Sequence, residues 1–208
     1  MRGGPGPEGR EMREAARASR GADPERRREM IKKVCIVGDS GVGKNTIAGI
    51  VAPFERGLEG FVEKIGAAVT KYGAEFQVGA QRLRLIILVW DVTGRRDFSR
   101  LWSSYYTGAE GFIVVADASR PSTVATLPLW IRAVRSTGRE VPVVVVVNKT
   151  DMVQRGEIAA LRQTLSRTLA GLDAPFFLVS AGSSRSVLKA PFRELARRLA
   201  RREAGKRR

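Results

Sequence analysis

Gly38-Asp39-Ser40-Gly41-Val42-Gly43-Lys44-Asn45-Thr46 is the stretch whose reading decides the fold. It directly follows the apolar run Val34-Cys35-Ile36-Val37 and opens a segment of helical composition. A glycine-rich turn is therefore predicted between a buried strand and a helix N-terminus. Such a turn binds phosphate. Gly38, Gly41 and Gly43 allow the backbone to curl with its N–H groups inward, the helix start adds positive partial charge, and Lys44 reaches the outer phosphates. The spacing matches the phosphate-loop pattern G-x-x-x-x-G-K in the strand-to-helix context that the pattern requires. A plain glycine turn is the alternative. One position departs from the pattern: a Ser or Thr whose hydroxyl ligates Mg²⁺ should follow the lysine, and here the residue is Asn45.

A chain of 208 residues with 43% hydrophobic content is long enough for one well-buried α/β domain plus tails. The single cysteine, Cys35, lies within the first apolar run and suits a small core residue in a reducing compartment. No apolar run approaches the ~20 residues that span a bilayer, and the Arg/Glu-rich N-terminus lacks the apolar segment of a secretory signal. A cytoplasmic protein is expected. Net charge is +16, and residues 193–208 alone carry eight Lys/Arg against two Asp/Glu. Such a patch attracts anionic surfaces, although without interleaved aromatics it reads first as a solvated helix end, and no DNA or RNA partner is expected. With no cysteine at the C-terminal end, no lipid anchor is expected, and contact with an anionic membrane would be peripheral.

Residues 1–28 are too polar to bury a face and read as a disordered or frayed N-terminal extension. From residue 29 to 200 apolar strands alternate with amphipathic segments, and residues 201–208 form a basic tail. Strands are predicted at 31–37, 83–90, 112–116, 141–147 and 176–179. An edge strand over 67–78 should join 83–90 through a hairpin at Gly79-Ala80-Gln81. Continuous runs such as Val141-Pro142-Val143-Val144-Val145-Val146-Val147 indicate strands covered on both faces, hence a doubly wound, mostly parallel sheet. Helices are predicted at 44–51, 97–107, 123–136, 156–169 and 191–202. With no histidine and one cysteine, neither a zinc cluster nor a His-based nucleophilic triad is expected.

Three further short motifs lie at strand ends. Asp91, in Trp90-Asp91-Val92-Thr93-Gly94, is placed to hold Mg²⁺ through water, and the Gly94 N–H to meet the γ-phosphate. Asn148-Lys149-Thr150-Asp151 ends the Val-rich strand, where ligands of open α/β sheets collect. A carboxylate at Asp151 accepts from both N1–H and the 2-amino group of guanine, whereas adenine offers an N1 acceptor and no 2-amino group. Ser180-Ala181 ends the last strand, and the Ala181 N–H is placed to donate to the guanine 6-oxo group. Each short match also reads as a capped strand–helix loop; their order makes joint coincidence improbable.

Taken together these residues resemble the Ras/Rab-like small GTPases over roughly residues 31–199. The stretch Lys64-Ile65-Gly66-Ala67-Ala68-Val69-Thr70-Lys71 is similar to the T-I-G-x-x-V-T-K of archaeal Rab-like members. The resemblance implies a P-loop NTPase fold: six mostly parallel strands in the order 2-3-1-4-5-6, with about five helices. It also implies GTP or GDP with Mg²⁺ as ligands, and a protein partner that reads nucleotide state through two switch segments at about 54–68 and 92–106. Where the family places its switch I threonine this chain has Lys64, and where it places a water-orienting glutamine, Arg95. The phosphate-binding set implied is thus Gly38 through Thr46 with Lys64. Lys44, Gly94 and Arg95 fall at the reacting phosphate, Asn45 and Asp91 at the metal, and Asn148, Lys149, Asp151, Ser180 and Ala181 at the guanine. Intact base-reading motifs with altered metal and hydrolysis positions point to a guanine-nucleotide switch with slow hydrolysis. A pseudo-GTPase scaffold without significant hydrolysis and an adaptor acting through the basic tail stay open as alternatives.

Overall fold

The computed structural model describes residues 29–51, 68–79, 81–91, 106, 108–136, 140–180 and 182–206. The elements run β1 (Glu29–Val37), α1 (Lys44–Val51), β2 (Ala68–Val78), β3 (Gln81–Asp91), β4 (Gly111–Asp117), α2 (Pro121–Ala125), α3 (Leu127–Arg135), β5 (Val143–Asn148), a 3₁₀ turn (Thr150–Met152), α4 (Glu157–Thr168), β6 (Phe176–Leu178) and α5 (Arg185–Gly205). They form one six-stranded sheet in the order β2-β3-β1-β4-β5-β6. β2 is antiparallel to β3 and every other pair is parallel. This is the mixed α/β architecture expected from the sequence.

Alternation along the strands sorts the core into two layers. Val34 and Ile36 of β1, Ile113 and Val115 of β4, and Val144 and Val146 of β5 face α1 and α5, meeting Ile47, Phe192 and Leu195. Their neighbours Cys35, Val37, Phe112, Val114, Val143 and Val145 face the other way, onto Leu127, Trp130 and Ile131 of α3 and Leu165 of α4. Every residue of β4 and β5 is buried, as strands covered on both faces must be. The parallel strands thus end together on one edge, and the loops leaving β1, β4, β5 and β6 meet there.

Several boundaries differ from the sequence reading. The helix predicted over 123–136 is two helices, α2 and α3, meeting at Thr126. Pro128 has no N–H to return to the Val124 carbonyl, and the Thr126 hydroxyl donates to the Thr123 carbonyl at 3.0 Å, so the ladder is interrupted at that point. The helix predicted to start at Pro191 starts at Arg185 and carries Pro191 inside it. Burial of Leu188 in the first turns offsets the hydrogen bond that Pro191 cannot make. The same helix runs to Gly205, past the predicted end at Arg202. β5 begins after Pro142 rather than at Val141, because Pro142 contributes only a carbonyl, to Phe112 N at 3.0 Å. In the β2–β3 hairpin Val78 pairs with Gln81, so Gln81 belongs to the strand. The predicted N-terminal extension, both switch segments apart from Ala68 and Tyr106, and most of the helix predicted at 97–107 lie outside the described residues.

Candidate functional site

Between β1 and α1 the chain makes the predicted turn. Gly38 has φ +141° and backs onto β4 so closely that a β-carbon there would lie 2.1 Å from the Val115 carbonyl oxygen. The loop follows a rule the sequence pattern does not state: every carbonyl from Gly38 to Gly43 accepts a hydrogen bond. Lys44 Nζ donates to the carbonyls of Gly38 at 3.1 Å and Asp39 at 2.9 Å. Arg120 Nη2 donates to the Ser40 carbonyl at 2.8 Å, Lys149 Nζ to that of Gly41 at 2.8 Å, and Asn148 Nδ2 to that of Val42 at 3.0 Å. The Gly43 carbonyl takes Ile47 N at 3.0 Å and starts α1. In a trans peptide the carbonyl of one residue and the N–H of the next point in opposite directions. Fixing the carbonyls of Ser40, Gly41 and Val42 therefore turns the N–H groups that follow them to the opposite side of the loop, next to the N-terminus of α1, an arrangement that suits an anion.

The donors come from neighbouring strand ends. Asn148 closes β5 and is 2% exposed. Lys149 follows it in the left-handed region, φ 62°, which swings its side chain back over the loop. Lys149 Nζ also lies 2.7 Å from Oδ2 of Asp117, the last residue of β4. Asp117 is held by Ser119, whose N and Oγ donate to Oδ1 at 3.0 and 2.7 Å, and by Arg120 Nε at 3.0 Å from Oδ2. Burial alone would raise this carboxyl, but hydrogen bonds from Lys149, Ser119 and Arg120 outweigh it and hold the pKa down at about 2.

Other predicted residues take the following places. The Asp39 carboxylate faces the α2–α3 junction, accepting from Thr126 Oγ1 at 3.0 Å and Trp130 Nε1 at 3.1 Å. Ser40, Asn45 and Thr46 are exposed, Val42 is buried in the core, and Lys44 is 4% exposed. Asp151 sits exposed in the 3₁₀ turn after Lys149. Ser180 is buried beside it, with Thr150 N donating to the Val179 carbonyl at 3.2 Å, so the Asn148–Asp151 and Ser180 loops are adjacent. Ser180 N is capped by Ser183 Oγ at 3.2 Å. Asp91 ends β3, opposite Ala68 of β2. Lys64, Gly94, Arg95 and Ala181 lie outside the described residues.

The site suits a nucleotide. A buried acceptor, Asn148 Oδ1, has no hydrogen-bond partner among the described residues, which fits a ligand donor arriving at that loop. The metal part is thinner: among the described residues no group of three or more His, Cys, Asp or Glu side chains could hold an ion. The sequence reading missed Asp117, Arg120, Thr126 and Trp130. A signal for the first existed: Asp117 ends an apolar strand whose neighbours carry the other motifs.

Residues 33–201 match the Ras family. The chain is 31% identical over 174 residues to the GTP-binding nuclear protein GSP1 of Encephalitozoon cuniculi, covering 82% of this chain and 77% of that protein. It is 34% identical over 172 residues to the Ras-related protein RABC2a of Arabidopsis thaliana, covering 79% and 75%. With the Ras-related protein Rab-5B of Plasmodium falciparum it shares 34% over 124 residues, 59% of this chain and 58% of that one.

Proposed function

Because the chain belongs to the Ras family of small GTPases, we propose that it is a guanine-nucleotide switch that binds GTP and GDP tightly and hydrolyses GTP slowly. The observation that carries this is the phosphate loop whose carbonyls are held by Lys44, Arg120, Lys149 and Asn148, two of which belong to the guanine motif itself. Base and phosphate sites are thereby built as one unit. Asp151 reads the guanine N1–H and 2-amino group, and Ala181 its 6-oxo group. Hydrolysis is attack of water on the γ-phosphorus with departure of GDP, favoured by the loop amides and Lys44. It is slow because Arg95 does not orient water as a glutamine would. Asn45 and Asp91 would hold Mg²⁺ weakly, and the ion would supply positive charge beside the nucleotide phosphates. Chromatography of the nucleotide released from purified protein, followed by phosphate release from added GTP, tests the reading. A chain that carries no guanine nucleotide and takes none up would overturn it.

Asn45 favours a second reading, a pseudo-GTPase that holds one nucleotide and acts as a scaffold; binding without phosphate release is its signature. In either case the domain spans residues 29–200, and partners meet the switch segments at 54–68 and 92–106. The setting is cytoplasmic, and the likeness of residues 64–71 to archaeal Rab-like members supports a prokaryotic or archaeal source.

The outer face of α5 supports peripheral contact with an anionic membrane. Arg193, Arg197 and Arg201 recur at one-turn spacing and are exposed. The two acids of this helix are spent elsewhere, Glu194 on Arg198 and Glu203 on Lys32, each at 3.0 Å. Deleting residues 193–208 would strip Leu195 and Leu199 from the core, so substitution is the sound test. Replacing the three arginines with glutamine should abolish co-sedimentation with phosphatidylserine vesicles at low salt, at about 1 kcal/mol per basic residue; undiminished binding would overturn the contact.

A further inference from the structure

We propose that Arg120 is a positioning residue of the phosphate loop, fixing the Ser40–Gly41 peptide in its anion-binding orientation before any ligand arrives. The proposal rests on the nucleotide reading for its consequence, and on geometry for its substance. Arg120 lies outside the phosphate-loop and guanine motifs, on the loop leaving β4, 80 residues from its acceptor. Its guanidinium is used at both ends: Nε on Asp117 Oδ2 at 3.0 Å and Nη2 on the Ser40 carbonyl at 2.8 Å. A planar fork anchored at one edge has little freedom at the other.

The anchor is itself fixed. Asp117 N donates to Thr123 Oγ1 at 2.9 Å, and its carboxylate is 1% exposed and tied to Ser119 and Lys149. Asp117 therefore sends two cations to consecutive loop carbonyls, Arg120 to Ser40 and Lys149 to Gly41. The peptide rule then sets the N–H groups of Gly41 and Val42 to the opposite side of the loop. Lys149 belongs to the guanine motif; Arg120 extends the same device one residue further along the loop. Gly41 has φ +72°, a region open to many conformations in glycine, so the Ser40–Gly41 peptide is where a restraint matters most. The consequence is a loop whose shape depends less on bound metal, in a chain whose metal ligand after Lys44 is altered.

The test compares wild type, Arg120→Ala and Arg120→Lys as full chains. Amide hydrogen exchange of the peptide covering residues 38–46, measured after nucleotide removal, should quicken about five- to twenty-fold in Arg120→Ala, the scale of one charge-assisted hydrogen bond, while β4 and β5 exchange as in wild type. Arg120→Lys offers a single ammonium that cannot keep both contacts in the fork geometry, and should fall between the two. Release of a fluorescent GDP should quicken in the same order. Loop exchange equal to wild type in Arg120→Ala would overturn the proposal, as would a rise spread evenly over the whole sheet, which marks a merely structural residue. Faster loop exchange with unchanged GDP release would overturn the positioning role. If the wild-type chain binds no GDP, the nucleotide reading falls, and the exchange comparison still decides whether Arg120 sets the loop's shape.

Discussion

Gly43 and Asn148 touch so closely that a β-carbon on Gly43 would lie 2.3 Å from Asn148 Nδ2. The contact joins the phosphate loop to the end of β5 and delivers the hydrogen bond from Asn148 to the Val42 carbonyl, 106 residues away in the chain. Gly43 also has φ +95°, where an L side chain is strained. Gly43→Ala therefore has two costs and no compensation. It should lower the unfolding free energy by about 1–3 kcal/mol and weaken guanine nucleotide binding by more than about tenfold, through displacement of Asn148. Denaturant titration and fluorescent GDP binding on the same sample check both, and wild-type values in both would contradict the packing described here.

Asp117 gives a pH signature. Its folded carboxyl sits at about 2, below the ordinary value of 3.8, so the folded state prefers the charged form. The stability it contributes is fully present above about pH 4 and is lost as pH falls through about 2, a loss on the order of 2 kcal/mol. Asp117→Asn removes the charge that faces Lys149 and Arg120. The variant should be less stable than wild type at pH 7 by about 2 kcal/mol, and the gap should close as the pH is lowered from 4 towards 2. Urea denaturation of both proteins across that range measures it; a gap independent of pH would mean that the carboxylate is not held by its partners.

The strands were legible because their signal is local. Runs of Val and Ile between glycine-rich loops mark β4 and β5, and the phosphate loop announces itself through nine consecutive residues. Helix ends were less so. Pro191 reads as a helix start, and only the burial of Leu188 reveals the turns before it. Neither partner pairing of Asp39 was legible, since Trp130 lies 91 residues away and its indole N–H can meet any acceptor. Arg120 was hidden for the same reason: a surface arginine in a loop carries no pattern, and its role comes from the parallel sheet bringing the ends of β1, β4 and β5 to one edge.

Base choice should follow Asp151. A site that pairs donors of its ligand rejects an analogue lacking them by roughly 10⁴ or more, so GDP should displace a fluorescent guanine nucleotide far better than ADP. Asp151→Asn replaces one acceptor oxygen with a donor, which suits the 2-oxo group of xanthine. The variant should lose GDP affinity and gain affinity for XDP. Equal competition by ADP in wild type, or unchanged preference in the variant, would sink the assignment. Asp151 is exposed in its 3₁₀ turn, so the substitution leaves the core intact and the result reports recognition.

The metal dependence should be weak and should be restored by one substitution. Asn45 stands directly after Lys44 in the first turn of α1, where its amide oxygen lies one bond further from the backbone than a hydroxyl would. Mg²⁺ accepts little departure from octahedral geometry at ~2.1 Å, so a ligand on a longer arm binds it poorly. Thr46 is no substitute, because one step along a helix turns a side chain by ~100° and carries its hydroxyl away from the Lys44 side of the loop. EDTA should therefore hasten GDP release from the wild-type chain by no more than about threefold, while Asn45→Thr, with the hydroxyl back in place, should show an acceleration of about tenfold or more, the size expected when one of a metal's ligands is restored. The loop carbonyls keep their donors in both proteins, so the difference isolates the metal. A large EDTA effect in wild type would mean that Asn45 serves a tight site after all. No gain in Asn45→Thr would mean that restoring this hydroxyl is not enough to rebuild the metal site.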